Sequence, residues 1–403
     1  MALSFRATDD PVQQLALDSR VARAFDWISK NLDWITAEHI RITEIPAPEF
    51  GEGPRAAYLQ KLLEAANLKT RTDDLGDVIA ERPGANGKDV VLIVAHLDTV
   101  FPAGTDVQVK RNHGRLEGPG ISDNAAGLVA LVATARALSE SRVRTGMTIV
   151  FAADVGEEGE GNLRGIRKLV ETYRSKLRAV IAIDGASIEH VTTMALASRR
   201  IQITVTGPGG HSWSDFGVPN PITALSRAIV RMSSAKLPDN PRTVFNVGMI
   251  EGGTSVNSIP HEARIKVDLR SEKESELDSL ESALRAAVQK GIEEEMAASH
   301  GAGDLDVDFK MLGVRPGGEI ASNAPLLEAI NNVDRYLGNR TRIERSSTDA
   351  NIPLSLGIPA IAIGGGGLGG GSHTLDEWYD PTGRELGLKR IILTALTVAG
   401  VQP

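Results

Sequence analysis

Residues 90–98 read Val-Val-Leu-Ile-Val-Ala-His-Leu-Asp. The six apolar residues at the start are typical of a strand that is buried on both faces of a parallel sheet. Side chains two positions apart on a strand lie on the same side, so His96 and Asp98 are expected together at its carboxyl end. A solvated strand end also collects such residues. The functional alternative is a metal-binding histidine followed by the acid that orients its ring.

The composition excludes several kinds of site. With 403 residues, 41% of them hydrophobic and 24% charged, the chain is an ordinary globular protein with room for two or three domains. The formal net charge of −8 gives no electrostatic reason to expect nucleic acid or an anionic membrane as a partner. Cysteine is absent. Any metal must therefore be held by His, Asp and Glu.

The N-terminal stretch 1–17 is polar and contains Asp9, Asp10 and Pro11, which is not the pattern of a signal peptide. No apolar stretch is long enough to span a bilayer. We therefore expect a cytoplasmic enzyme, with a removed export signal left open.

Strand and helix patterns alternate through the first half of the chain. The predicted helices are 19–45, 54–66, 124–138 and 163–176, and the predicted strands are 70–81, 90–97, 148–153 and 179–184. Such alternation favours an α/β fold, a three-layer αβα domain that sandwiches a mixed, largely parallel sheet.

The pattern changes after residue 193 and then returns. Strands at 200–206, 244–250, 263–270 and 305–311 and helices at 221–234 and 274–298 follow the order β-α-β-β-α-β, which is ferredoxin-like. Helices at 322–337 and 385–398 and a strand at 358–363 then resume the first type. We expect a discontinuous catalytic domain, 1–193 with 313–403, and an inserted α+β domain at 194–312.

Several acidic residues follow predicted strands or loops. Asp123 precedes a helix, so it is either an N-cap or a carboxylate that a glycine-containing loop delivers to the strand ends. Glu157 and Glu158 lie in an acidic run just past a strand, which is either a solvated turn or a ligand site. Two adjacent glutamates can divide the work, one binding metal and the other taking a proton from water.

Asp184 ends another buried strand, and His373 follows the glycine run 364–371. A lone histidine after glycines is more often a surface residue. Taken together, two histidines and three carboxylates suit two cations that share one carboxylate. The glycine run alternatively suggests a nucleotide-binding protein, but no Gly-Lys-Ser/Thr follows it.

The chain resembles the M20 family of co-catalytic zinc peptidases and deacylases over nearly its whole length. The motifs that carry this resemblance are Ile-Pro-Ala-Pro (45–48), Ala-His-Leu-Asp-Thr-Val (95–100), Gly-Pro-Gly-Ile-Ser-Asp-Asn (118–124), Gly-Glu-Glu-Gly (156–159), Gly-Pro-Gly-Gly-His-Ser (207–212), Thr-Asp-Ala-Asn (348–351) and Ser-His (372–373).

The resemblance implies roles for individual residues. His96 and Asp184 would bind one Zn²⁺, Glu158 and His373 would bind the other, and Asp123 would bridge the two ions. Co²⁺ or Mn²⁺ suits the same ligands. The peptide between Asp123 and Asn124 would be cis, as it often is in relatives. Asp98 would orient His96, and Glu157 would be the general base.

The resemblance also assigns a role to the inserted domain, as a lid and as the interface of a homodimer. His211 would donate to the oxyanion, commonly in the active site of a partner subunit, and Asn257 and Arg270 would contact substrate. From the residues alone, His211 could equally stabilise a turn, and Arg270 could form a surface ion pair. The other histidines are given no functional role: His39, His113, His190, His261 and His300.

The expected function is that of a dinuclear zinc exopeptidase acting on short peptides. The stretches 347–353 and 372–378 look most like peptidase T, which favours a dipeptide or tripeptide aminopeptidase. A glutamate carboxypeptidase or an aminoacylase acting on N-acyl amino acids is the close alternative. A hypothesis from another class is a non-catalytic relative that binds metal or peptide, but Glu157 and Asp123 are both present.

Overall fold

The computed structural model describes residues 10–403, and the first nine residues of the polar N-terminal stretch lie outside them. The chain forms two compact units. The larger unit contains the residues up to Ala195 together with Gly318–Pro403, and the inserted unit is Leu196–Gly317. Among residues 10–403, no helix is both long enough and apolar enough to cross a membrane.

The first part of the larger unit alternates helices with strands. Its helices are α1 (Pro11–Leu17), α2 (Ser19–Lys30), α3 (Leu32–Thr43), α4 (Gly53–Glu64), α5 (Ala125–Ser141) and α6 (Arg164–Tyr173). Its strands are β1 (Lys69–Thr72), β2 (Val78–Arg82), β3 (Val90–His96), β4 (Lys110–Asn112), β5 (Arg115–Glu117), β6 (Thr148–Asp154), β7 (Leu177–Ile183) and β8 (His190–Ala195).

The inserted unit has the expected β-α-β-β-α-β order with one small addition. Its elements are β9 (Ala197–Thr206), β10 (Gly210–His211), α7 (Pro221–Ser233), β11 (Thr243–Gly252), β12 (Ser258–Ile259), β13 (Glu262–Ser271), α8 (Glu274–Ala298) and β14 (Asp306–Arg315). The four long strands form an antiparallel sheet in the order β11-β13-β9-β14, and β10 pairs with β12. Buried and half-buried residues alternate along β13, because one face of the sheet carries α7 and α8.

The last part of the chain completes the larger unit. Its elements are β15 (Gly318–Glu319), α9 (Pro325–Leu337), β16 (Arg342–Ser346), α10 (Asn351–Ser355), β17 (Ala360–Ile363), β18 (Leu368–Gly370), β19 (Trp378–Asp380) and α11 (Arg384–Ala399). The main sheet has the order β1-β2-β6-β3-β7-β17-β8-β15, with β16 also paired to β8. A small second sheet has the order β18-β19-β5-β4.

The centre of the main sheet is parallel, from β6 through β3 and β7 to β17, whereas its edges contain antiparallel pairs. Every residue of β3 is buried, as expected for a strand with helices on both faces. The α/β class, the largely parallel sheet and the additional antiparallel unit are confirmed. The carboxyl ends of β3, β6 and β7 lie side by side at one edge of the sheet.

Two predicted elements are each divided in the structure. The segment 19–45 is not one helix, because Asn31 leaves helical geometry and its side-chain amide donates to the Trp27 carbonyl at 2.6 Å. The segment 70–81 is two antiparallel strands. Oδ1 of Asp73 accepts hydrogen bonds from the backbone N–H groups of Leu75, Gly76 and Asp77 and so closes the turn between them.

Candidate active site

His96 is the last residue of β3, and its ring faces two carboxylates. Its Nε2 atom lies 3.2 Å from Oδ1 of Asp123 and 3.8 Å from Oδ1 of Asp184. One ligand atom from each of the three residues lies within 4.8 Å of the others. At the opposite nitrogen, Nδ1 donates to the backbone carbonyl of Asp98 at 3.1 Å. That hydrogen bond leaves Nε2 directed toward the two carboxylates.

The buried carboxylate of Asp98 holds the turn that follows β6. Oδ1 accepts the backbone N–H of Glu157 at 3.0 Å, and Oδ2 accepts that of Glu158 at 2.8 Å. Its Oδ1 atom lies 3.7 Å from His96 Nδ1, beyond hydrogen-bond distance. Asp98 therefore joins the end of β3 to the two glutamates and contacts the His96 ring at longer range.

Glu157 and Glu158 are buried, with only 4% and 7% of their surface exposed, whereas Glu160 is exposed. The alternative of a solvated turn is therefore wrong for this pair. One ligand atom each of His96, Glu157 and Glu158 lie within 4.8 Å of one another. The two glutamates thus lie at the same strand ends as His96.

The histidine after the glycine run reaches the same cluster. His373 is exposed, yet its Nε2 atom lies 2.9 Å from Oε1 of Glu158 and 3.2 Å from Oδ2 of Asp123. These three residues form a further group whose ligand atoms lie within 4.8 Å. The glycines before it pack closely on neighbouring backbone, since a Cβ on Gly364 would lie 2.4 Å from the Ser187 nitrogen. His373 is therefore a surface residue whose ring faces the carboxylates.

The loop that ends at Asp123 is connected to the neighbouring strand end through Asn124. The Asp123–Asn124 peptide is cis. Asn124, and not Asp123, caps α5: its Oδ1 accepts the Gly127 N–H at 3.1 Å. The same oxygen accepts the N–H of Gly185, and Nδ2 donates to the Ile183 carbonyl. Asn124 therefore fixes the loop on both sides of Asp184 and leaves the Asp123 carboxylate directed at the histidines.

The charges of the cluster are strongly coupled. Burial lowers the pKa of His96, but the nearby carboxylates of Asp123, Asp184 and Asp98 outweigh burial and hold that pKa well above its ordinary value. Hydrogen bonds to Asp123 and Glu158 raise the pKa of His373 to about 10. Burial acts to raise the pKa of Asp123, whereas the two histidines lower it below its ordinary range. The carboxylates thus strongly favour positive charge at both imidazoles.

These residues fit a pair of metal ions. Asp123 belongs both to the group with His96 and Asp184 and to the group with Glu158 and His373. Within residues 10–403, its Oδ1 atom is buried without a hydrogen-bond partner, which is unusual unless a further group contacts it. Imidazole nitrogens and carboxylate oxygens are the ligands expected of Zn²⁺ and similar divalent ions. The five side chains could therefore hold two cations with Asp123 between them.

Two supporting residues were missed by the sequence reasoning. The buried carboxylate of Glu377 accepts the backbone N–H groups of Gly120, Ser122 and Asp123, and burial raises the pKa of this carboxyl to about 7. The buried ring of His39 donates from Nε2 to the Ile121 carbonyl at 2.6 Å. Burial and a neighbouring arginine hold its pKa well below the ordinary value. Neither residue has a sequence signal that separates it from an ordinary glutamate or histidine.

The remaining predicted residues belong to the inserted unit. His211 lies on β10, opposite Ser258 of β12, and the neighbouring Ser212 N–H donates to the Asn257 carbonyl at 3.0 Å. Both His211 and Asn257 are exposed. Arg270 lies on β13, and its Nε donates to Oδ2 of Asp268 at 2.6 Å. The inserted unit therefore holds His211 and Asn257 on adjacent loops and Arg270 in an ion pair.

Sequence comparisons find relatives of this chain among known enzymes. The chain is 25% identical to carboxypeptidase G2 of Pseudomonas sp. (strain RS-16) over 224 residues, covering 54% of this chain and about half (52%) of that relative. It is also 25% identical to acetylornithine deacetylase of Myxococcus xanthus over 339 residues, covering 78% of this chain and 84% of that relative.

Solved structures share the fold. Aminopeptidase PepT of Bacillus cereus superimposes with a TM-score of 0.69 at 21% identity, covering 91% of this chain and 98% of that one. A dinuclear metal-binding peptidase of Bacillus subtilis has a TM-score of 0.65 at 16% identity, covering 94% and 99%. Residues 92–396 match peptidase family M20/M25/M40. The chain therefore belongs to peptidase family M20/M25/M40.

Proposed function

We propose that the chain is a dinuclear zinc exopeptidase that hydrolyses short peptides. The observation that carries this proposal is the position of Asp123, whose carboxylate belongs to two separate groups of possible metal ligands. A carboxylate shared in this way is what a pair of co-catalytic ions requires. Co²⁺ or Mn²⁺ suits the same side chains, and zinc is proposed because it favours imidazole and carboxylate together.

In this proposal, one ion is held by His96 and Asp184, the other by Glu158 and His373, and both by Asp123. When bound, the ions would supply Lewis acidity that polarises the scissile carbonyl and makes water at the centre more acidic. Asp98 keeps the Glu157–Glu158 turn and the His96 ring in place through the hydrogen bonds described above.

Glu157 is proposed as the general base. Its side chain is buried beside His96 and Glu158, so its carboxylate is within the cluster and shielded from bulk water. It would take a proton from the attacking water as the new carbon–oxygen bond forms. It would then give that proton to the amine nitrogen as the carbon–nitrogen bond breaks.

His211 is proposed to donate a hydrogen bond to the oxyanion, and Asn257 and Arg270 are proposed to contact substrate. The support for His211 and Asn257 is that both side chains are exposed and lie on neighbouring, hydrogen-bonded segments of the inserted unit. For Arg270, 37% of the side-chain surface remains accessible beside the ion pair with Asp268. An arginine in that state retains donors for a substrate carboxylate.

A homodimer through the inserted unit is part of the proposal. Strand β11 lies at the edge of its sheet, and the carboxyl-terminal half of the strand is exposed. Met249 and Ile250 on this strand are 47% and 59% exposed, and Val230 on α7 is 64% exposed. An apolar edge strand is suited to pairing with a second copy. Sedimentation at micromolar concentration should give a dimer, and a monomer there would contradict this part.

For the substrate, we favour the N-terminal residue of a dipeptide or tripeptide, as in peptidase T. Support comes from the stretches 347–353 and 372–378 and from the common fold with PepT. The second candidate is removal of a C-terminal glutamate or of an N-acyl group. It is favoured by the similarity to carboxypeptidase G2 and acetylornithine deacetylase.

The proposal keeps the cytoplasmic location expected from the sequence, which cell fractionation would test.

The substrate class is tested with one mixture. The zinc-loaded protein is incubated with dipeptides, tripeptides, peptides ending in glutamate, and N-acyl amino acids, and the products are identified by mass. Release of N-terminal residues from tripeptides supports the favoured branch. Release of glutamate or of an acyl group selects the alternative. Absence of any hydrolysis by protein that holds both metals would instead favour a non-catalytic relative.

A further inference from the structure

The loop that carries Asp123 has an acidic anchor outside the proposed ligand set. Glu377 is fully buried. Its Oε2 atom accepts the Gly120 N–H at 2.8 Å, and its Oε1 atom accepts the N–H groups of Ser122 and Asp123, each at 2.7 Å. Such short hydrogen bonds to a carboxylate are stronger than those between neutral groups. One side chain therefore holds three of the four amides from Gly120 to Asp123.

The geometry of the loop leaves little freedom around this anchor. Gly120 has a φ of +78°, and a Cβ at that position would lie 2.9 Å from Cγ2 of Thr99. The backbone carbonyl of Glu377 also accepts the Gly118 N–H at 2.9 Å. On the opposite side, the ring of His39 holds the Ile121 carbonyl. The N–H groups of Gly120, Ser122 and Asp123 therefore depend on Glu377, and the Ile121 carbonyl depends on His39.

Glu377 also links the two segments that meet at Asp123. It follows His373 by four residues, and the next residue, Trp378, pairs with Glu117 at the start of the Asp123 loop. A change at Glu377 would therefore act on the shared carboxylate and on the segment that carries His373.

From these contacts we infer that Glu377 is a positioning residue for the metal centre, one that fixes the Asp123 carboxylate between the two groups of ligands. This inference rests on the proposed function, because it assumes that Asp123 is shared by two cations. It assigns Glu377 no contact with substrate or metal. Residues that orient a metal ligand in this way typically change metal affinity by about 10- to 100-fold when they are replaced.

The test is E377Q, with E295Q as the matched control. Glu295 in the inserted unit is also a buried glutamate that accepts a backbone N–H, from Asn220 at 3.1 Å. An amide at position 377 would turn NH₂ toward at least one N–H donor. Zinc affinity is measured by competition with a chelator, the Co²⁺ absorption spectrum reports the ligand geometry, and thermal unfolding of the metal-free proteins reports stability.

E377Q should bind zinc about 10- to 100-fold more weakly with an altered Co²⁺ spectrum, whereas E295Q should keep the wild-type affinity and spectrum. E377D keeps the charge and should recover part of the affinity. If E377Q does not fold, the shift of E377D relative to wild type decides. Wild-type affinity in a destabilised E377Q or in E377D would overturn the inference. Fewer than two bound ions in the wild type would instead contradict the proposed function.

Discussion

Most predicted functional residues of the larger unit are buried, whereas two of the three in the inserted unit are exposed. In the larger unit, His96, Asp98 and Glu158 are buried and held by hydrogen bonds or close polar contacts. In the inserted unit, His211 and Asn257 are exposed. The first arrangement has the pre-organisation that metal binding requires within one unit. The second is suited to groups that act only when a substrate or another surface covers them.

Replacement of the proposed base should have the largest effect. E157Q removes the proton acceptor but keeps the size of the side chain, so kcat should fall by about 10²- to 10⁴-fold while two zinc ions stay bound. The matched control is E160Q in the same turn, where the glutamate is exposed. E160Q should hydrolyse peptides at the wild-type rate. An active E157Q with its metal retained would exclude this residue as the base.

Replacement of His211 should change catalysis without changing metal binding, which distinguishes the role of the inserted unit from that of the larger unit. H211A should lower kcat by about 10²- to 10³-fold, since one oxyanion donor is lost, without a change in zinc affinity. H261A, another exposed histidine of the inserted unit, serves as control. If His211 acts in a partner subunit, mixing E157Q with H211A should restore about a quarter of the wild-type activity through mixed dimers. No recovery in mixed dimers that are shown to form would contradict action across subunits.

Replacement of Asp98 should act mainly on zinc affinity. In D98N the amide can accept only one of the two hydrogen bonds from Glu157 and Glu158, so zinc affinity should fall by about 10- to 100-fold. D268N, which removes the charged partner of Arg270 in the inserted unit, should leave zinc affinity unchanged. Chelator competition measures both. Equal affinities in the two variants would remove Asp98 from the support of the centre.

At Asp77, a buried carboxylate of the larger unit outside the cluster, the expected effect is on the stability of the fold and not on the metal centre. Burial raises its pKa from 3.8 to about 8, so between these values the folded state binds more protons than the unfolded state. Stability should therefore fall as pH rises from about 4 to 8, by at most about 1.4 kcal/mol per pH unit. D77N keeps an acceptor for the Val155 N–H but has no carboxyl group to titrate, so its free energy of unfolding should fall less between about pH 4 and 8. Urea unfolding at several pH values measures it, and parallel curves for D77N and wild type would contradict it.

The sequence predicted the structure correctly where a pattern of residues has one usual structural meaning. The apolar run before His96 predicted a fully buried parallel strand, and strand ends predicted where His96 and Asp184 lie. The sequence did not predict the structure where two adjacent residues could each take the same role. Asn124, and not Asp123, caps α5, because the loop geometry gives the cap to the amide and leaves the carboxylate free to face the histidines.

Support from distant segments was also beyond reach of the sequence. Glu377 is more than 250 positions from the amides that it holds, and no local pattern marks that pairing. His39 is a histidine on a helix until the fold brings the Ile121 carbonyl to its ring. At Asn31, where the segment 19–45 divides, the side-chain amide donates to the Trp27 carbonyl, a contact that the helical pattern of the sequence does not reveal.

The most direct test of the central claim is a count of metal ions with and without Asp123. Chelator-treated protein is titrated with zinc in a calorimeter, and bound zinc is then measured by elemental analysis. The wild type should bind two ions per chain, and D123N should bind fewer than two or bind both far more weakly. One ion or none in the wild type, or two ions at unchanged affinity in D123N, would contradict a shared dinuclear centre.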